Sequence, residues 1–246
     1  MSIASELNRL LQAKSDLAMS IAAKGVTVPA ATTIDGYAAL VDQIQQGGSS
    51  LPYDAEVEYL MTDGSAYIDT GIQGKCAFEI VGGIKRSLTV AAGLFGYRAS
   101  TTSNNQCLIW YGDGHSNSGK LRFDFGSGTT AKVQNMTSAS VANDTLLKYN
   151  LASLSAGSQT ITPQLNSQEP TTGNLYLLGL NTNGALSLNQ DGTYVKSAKI
   201  GKGGLTVRDY IPVRVGTVGY LYDKISGQLF GNANNTGAFT LGSDVT

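Results

Sequence analysis

The sequence predicts a mainly β protein, with two packed antiparallel sheets preceded by a small N-terminal helical hairpin. Three observations carry this. A helical apolar period runs from Ile3 and stops near residue 50; short apolar runs separated by turn signals follow from Tyr53 onward; and no long helical pattern interrupts that second region, which excludes βαβ crossovers. Composition agrees. Charged residues make up 14% of the chain and Gly accounts for 30 of its 246 residues, against about 25% and about 7% in ordinary soluble domains. That is a turn-rich, charge-poor profile.

In the helical region, Ile3, Leu7, Leu10, Leu17 and Ile21 fall on a 4-3-(7)-4 spacing, with Lys14 at the seam position where an apolar residue is missing. The spacing predicts an amphipathic helix of about 20 residues and about 30 Å. Gly25 and Pro29 end it. Thr33 is placed to cap a second, shorter helix with Ile34, Tyr37, Leu40, Val41 and Ile44 on one face. Gly47, Gly48, Ser49, Ser50 and Pro52 read as a linker, so the expected division is a helical anchoring or oligomerisation segment (1–46), a linker (47–52) and a β domain (53–246). Two short helices cannot cover both apolar stripes by themselves. The stripe either docks on the β domain or meets other chains, and the near-heptad seam with one polar Lys14 favours other chains. The residues assigned to that contact are Ile3, Leu7, Leu10, Leu17, Ile21, Ile34, Tyr37, Val41 and Ile44.

In the β region, strands are expected at 57–60, 78–85, 89–97, 107–111, 121–125, 146–151, 174–180, 194–200, 205–211, 219–222 and 228–230. Asp63-Gly64, Asp113-Gly114, Asn183-Gly184 and Asp191-Gly192 mark turns, because both residue types tolerate positive φ. Leu121-Arg122-Phe123-Asp124-Phe125 alternates cleanly, predicting one buried and one wet face.

Several function classes are disfavoured. Seventeen Lys+Arg balance 18 Asp+Glu without a basic run, so no nucleic-acid or anionic-membrane partner is indicated. The N-terminus lacks a signal-peptide pattern, no apolar stretch approaches the 18 or so residues that cross a bilayer, and a cytoplasmic origin is expected. Cys76 and Cys107 lie within strand-like runs and read as buried thiols rather than a disulfide framework.

The β region resembles a concanavalin A-like lectin/glucanase (LamG-like jelly-roll) domain of the type common in phages and prophages. The resemblance is carried by VEYLMTDGSAYIDTGI (57–72), LFGYR (94–98), LRFDF (121–125) and VRDYIPVRVGTVGYLYDKISGQLFGNANNTGAFTLGSDV (207–245). LLQAKSDLAMSIAAKGVTVP and IDGYAALVDQI are similar to a module at the start of many phage tail and fibre proteins. Together they imply a bacteriophage virion structural protein of fibre or decoration type, made in the bacterial host cytoplasm. The helices would attach it to other virion proteins or form a homo-oligomer, with a trimer preferred, and the jelly roll would face outward. The resemblance also implies that the first and last strands of the β domain, around 59–67 and 213–230, lie side by side.

Related jelly rolls include glycoside hydrolases, whose reaction needs two carboxylates flanking the scissile bond. Glu56, Glu58, Glu79 and Glu169 are the only glutamates of the β region and none sits in the required strand pattern. His115, the sole histidine, lies in a Gly-rich polar stretch, which gives no Ser-His-Asp or zinc chemistry. The glycine pairs are not followed by a helix and a Lys-Ser/Thr pair, so no phosphate loop is signalled. The expected protein is therefore not an enzyme and needs no cofactor and no metal, although Asp113 and Asn117 are chemically able to hold calcium. Sugar binding asks less: an aromatic face and a few amides or charges around it. Tyr97, Arg98, Asn104, Trp110, Tyr111, Asp113, His115 and Asn117 form the candidate set for a host-surface glycan, with core packing as the alternative for Trp110 because it shares strand parity with Leu108. A dedicated receptor-binding glycan adhesin is the second reading and a polysaccharide-active enzyme the third.

Overall fold

The computed structural model describes residues 2–22, 26–43, 51–85, 91–100, 106–112, 120–126, 132–136, 144–162 and 173–245; side chains are not described at 108, 110–112, 120 and 132–136. The chain forms two compact units, Met1–Leu51 and Pro52–Thr246.

The first unit holds α1 (Ile3–Ala22) and α2 (Gly36–Gln43). Ser2 starts α1, its carbonyl taking the Ser5 N–H at 3.0 Å and its hydroxyl taking the same N–H at 3.2 Å. The two arms close on a small core of Ile21, Tyr37 and Leu40, flanked by Ala18, Val26 and Val28. This corrects part of the expected partner surface: Ile21 and Tyr37 are consumed inside the hairpin, because the chain after Gly25 folds back across the last turns of α1. Ile3, Leu7, Leu10, Leu17, Ile34 and Val41 remain exposed, Ile3 at 90% and Leu7 at 56%. Ile44 lies outside the described residues.

The β unit begins with β1 (Ala55–Glu56), β2 (Leu60–Thr62), β3 (Ile68–Gln73), β4 (Ala77–Ile84), β5 (Ala92–Arg98) and β6 (Gln106–Gly112). It continues through β7 (Lys120–Gly126), β8 (Lys132–Met136), β9 (Thr145–Tyr149), β10 (Leu154–Ala156), β11 (Gln159–Ile161) and β12 (Asn174–Leu177). Next come β13 (Leu180–Thr182), β14 (Ala185–Ser187), β15 (Thr193–Lys202), β16 (Leu205–Val215), β17 (Val218–Asp223), β18 (Gln228–Phe230) and β19 (Phe239–Leu241). One sheet runs β11-β10-β9-β4-β15-β16-β17-β18, with β2 joined to β15, β19 joined to β2 and β1 joined to β16. The other runs β14-β13-β5-β6-β7-β8, with β12 bridging β3 and β5.

The inner faces pack on each other. Phe78 from the first sheet meets Phe95 and Phe123 from the second, with ring centroids 5.4 and 6.4 Å apart, and Tyr149 on its own sheet at 5.5 Å. Edge-to-face contacts of this kind add to the burial of each ring. The molecule is thus mainly β, a two-sheet sandwich as expected. It is not wholly antiparallel: β13 runs parallel to β5, with Asn181 opposite Tyr97 and Thr182 opposite Arg98.

The first and last strands of the β unit do meet, but in other pairs than 59–67 with 213–230. β1 pairs with β16, β2 pairs with β19, and Val57 bridges Asp244. The alternation in β7 is also present on its core side, where Leu121, Phe123 and Phe125 are buried. Its other side is not simply wet, because Asp124 is only 4% exposed and is ion-paired with Arg122 at 2.7 Å. A carboxylate tolerates burial when a guanidinium is beside it. Cys76 and Cys107 are both buried free thiols, and burial pushes the Cys76 thiol up to about 12, the mark of an inert position. Among the described residues no helix is long and apolar enough to cross a membrane.

Candidate functional site

β3 starts as an ordinary strand, with Ile68 and Thr70 buried and Asp69 turned outward. It then breaks register with β12. Asn174 pairs with Gln73 while Tyr176 pairs with Asp69, so β3 spends extra residues over the same length of partner. Gly71 makes this possible at φ 67, and its N–H is accepted by Asp69 Oδ1 at 2.9 Å. The bulge swings two polar side chains onto Asn174: Asp69 Oδ2 accepts its Nδ2–H at 3.1 Å, and Gln73 Nε2 donates to its Oδ1 at 2.9 Å.

The third polar wall comes from the hairpin of β13 and β14. Asn183 and Gly184 both have positive φ, as a tight two-residue hairpin turn requires. Asn181, 3% exposed, holds that hairpin to β12: its Nδ2 donates to the Asn174 carbonyl at 2.8 Å, and its Oδ1 accepts the Gly184 N–H at 2.6 Å. Beside it Tyr176 stacks on Tyr67, with centroids 4.3 Å apart and planes inclined by 28°. Burial, a hydrogen bond with Tyr67 and the nearby Asp69 carboxylate all push the Tyr176 phenol above its usual range, so it stays protonated at neutral pH.

An open cleft of about 380 Å³ is lined by Gln73, Tyr97, Asn174, Tyr176, Asn181 and Asn183, with Asp69 bonded to the lining Asn174. Its lining is amides and phenolic edges, a set of mixed donors and acceptors, with the Asp69 carboxylate bonded to one of those amides, Asn174. A second depression, of about 440 Å³, lies on the other sheet around Asn150 and Lys199. Its charges are already paired, Lys148 with Glu79 and Lys199 with Asp209 at 3.7 Å.

The residues singled out from the sequence do not form one cluster among the described residues. Tyr97 is 3% exposed, a core residue over whose ring the Gly173 backbone lies so closely that a Cβ there would overlap it. Only its edge reaches the cleft, so it is corrected from a sugar platform to a floor. Arg98, next along β5, points to the opposite face, where Nε donates to Thr182 Oγ1 at 2.8 Å and Nη2 to Ser187 Oγ at 3.4 Å. On β6 the buried parity is Cys107 and Ile109, and Trp110 is in register with Arg122. Tyr111 is in register with the buried Leu121. Asn104, Asp113, His115 and Asn117 lie outside the described residues, as does Glu169.

Apart from Tyr97, the cleft residues are not among the glycan-binding candidates of the sequence. The Asn183-Gly184 turn was a visible signal for one wall, whereas the bulge at Gly71 had none beyond a glycine inside a strand. Among the described residues no group of three or more His, Cys, Asp or Glu side chains is placed to hold a metal.

No protein-family profile matches the chain, and no curated protein matches it. Among solved structures it is similar to one described as Ruminococcus gnavus IT-sialidase CBM40, with a TM-score of 0.39 and 10% identity, covering 63% of this chain and 91% of that one. So loose a likeness assigns no function, which must come from this chain's own residues.

Proposed function

We propose that this chain is a non-catalytic glycan-binding protein of a bacteriophage virion: a β-sandwich of the concanavalin A-like, jelly-roll kind displayed on a helical hairpin that attaches it to other chains. The observation that carries glycan binding is the cleft at the β3–β12 bulge, where Asp69, Gln73, Asn174 and Asn181 converge beside the Tyr67–Tyr176 stack. Its size is within the roughly 300–1,000 Å³ usual for small-ligand sites, and amides around an aromatic pair suit a hydroxyl-rich ring. The virion setting rests on the sequence resemblance. Attachment rests on the exposed seam of Ile3, Leu7, Leu10 and Leu17, which would each gain roughly 1.5–3 kcal/mol on burial. A trimer is the preferred order.

The test is a glycan array with the full-length protein, followed by calorimetric titration of the hits. Binding that falls at least tenfold in Asn174→Ala, with unchanged thermal unfolding, supports the site. A blank array refutes glycan binding and leaves a decoration role. Absence of the chain from purified particles refutes the virion setting. The adhesin reading makes one extra demand, that free protein block adsorption of the phage to its host, and hydrolysis of any polysaccharide would restore the enzyme.

A further inference from the structure

Resting on that reading of the cleft, we infer that it selects uncharged glycans and rejects acidic ones. An anionic sugar such as a sialic acid or a uronate is ordinarily met by a guanidinium, an ammonium or several converging N–H groups, because a carboxylate is only an acceptor. The cleft offers the reverse. Asp69, outside the lining itself, sets a carboxylate against the lining Asn174, whose Nδ2 donates to it at 3.1 Å, and is held by the Gly71 N–H at 2.9 Å. Among the described residues, no Lys or Arg lines it. Of the nearby cations, Lys202 donates to the Gln73 carbonyl at 2.8 Å, Arg208 is engaged with the Thr70 and Val207 carbonyls at 3.2 and 2.9 Å, and Arg98 leaves β5 on the opposite face and is engaged with Thr182 and Ser187.

What remains is a set of amides, each with both a donor and an acceptor side, beside a fixed acceptor. That pattern matches sugar hydroxyls and acetamido groups, which also donate and accept. A carboxylate brought against Asn174 would meet the like charge of Asp69 beside it in a partly desolvated site.

The experiment uses the full-length protein and matched pairs: N-acetyllactosamine against its sialylated form, and a neutral glucan oligosaccharide against an oligouronate. The expected result is binding of at least one neutral member, with its acidic counterpart at least tenfold weaker. Raising salt should narrow the gap, since screening weakens repulsion. Gln73→Lys, at an exposed position, should bring the acidic member to within about threefold of the neutral one. Preference of the wild type for acidic members overturns the selectivity while leaving glycan binding intact. Absence of binding to every probe overturns both. A wild-type gap that Gln73→Lys does not narrow, in a variant that unfolds like the wild type, also overturns the charge argument.

Discussion

The Asp63 carboxylate accepts the backbone N–H of Ala238 at 2.7 Å, across 175 residues of chain. It also accepts the Ser65 N–H and hydroxyl, both at 2.8 Å, and the Ala66 N–H at 3.0 Å. One side chain thus closes the Asp63-Gly64 turn and ties the last strand's approach to it. Burial works against its charge, but the Ala238, Ser65 and Ala66 donors outweigh that and hold Asp63 at about 2.

A carboxylate lowered on folding stabilises above its ordinary value, and that contribution is lost as pH falls through the folded one. The C-terminal segment should therefore loosen between about pH 4 and about pH 2. Asp63 is exposed, so the effect is modest, about 1–2 kcal/mol at neutral pH on removal of the charge in Asp63→Asn. Thermal unfolding of both proteins at pH 7 and pH 3 checks this. An equal stability difference at the two pH values would reject it.

Gly237 has φ 82, and a Cβ there would overlap Ser65 Oγ and crowd both Asp63 carboxylate oxygens. Gly204 has nearly the same φ of 83 with nothing within 4 Å. Gly204→Ala should cost about 1 kcal/mol from backbone strain alone, and Gly237→Ala roughly 2 kcal/mol more. Urea unfolding separates the two. Equal losses would mean that the Asp63–Ser65 contact is looser than the geometry requires.

Phe78 is the ring that joins the sheets, touching Phe95 and Phe123 across the sandwich and Tyr149 beside it. Phe78→Ala should cost about 3–5 kcal/mol, since it removes a large side chain from a site bounded by other rings that cannot collapse freely. Phe78→Leu should cost less than half of that. Denaturant midpoints at constant slope provide the measurement, and a loss below about 1 kcal/mol for the alanine variant would show that the sheets do not depend on this contact.

Leu10 and Leu17 are exposed on α1 and on the same seam as Ile3 and Leu7. The double variant Leu10→Glu/Leu17→Glu should leave the fold of the β unit untouched and lower the assembled mass to that of a single chain. Light scattering together with thermal unfolding reads both quantities. If wild type and variant have the same mass, the seam does not bind copies of this chain.

What could be read from the sequence is what short stretches of chain decide. The length of α1 follows from its apolar period, the Asn183-Gly184 hairpin from residues that tolerate positive φ, and the core side of β7 from alternation at Leu121, Phe123 and Phe125. Where partner and face mattered, local pattern was insufficient. Tyr97 has the profile of an exposed aromatic near a loop, yet the Gly173 backbone covers it. Asp124 looks like a wet-face charge and is buried beside Arg122.

The sequence alone determined the order of the elements, the break near residue 50 and the scarcity of catalytic groups, because composition and periodicity act over a few residues. The tertiary structure alone decided the candidate site. Asp69 and Gln73 meet Asn174 and Asn181 only because a bulge at Gly71 shifts β3 against a strand about a hundred positions later. The same structure decided that Ile21 and Tyr37 serve the hairpin's own core while Leu10 and Leu17 stay open, since which half of an amphipathic stripe is covered depends on where the returning chain crosses it.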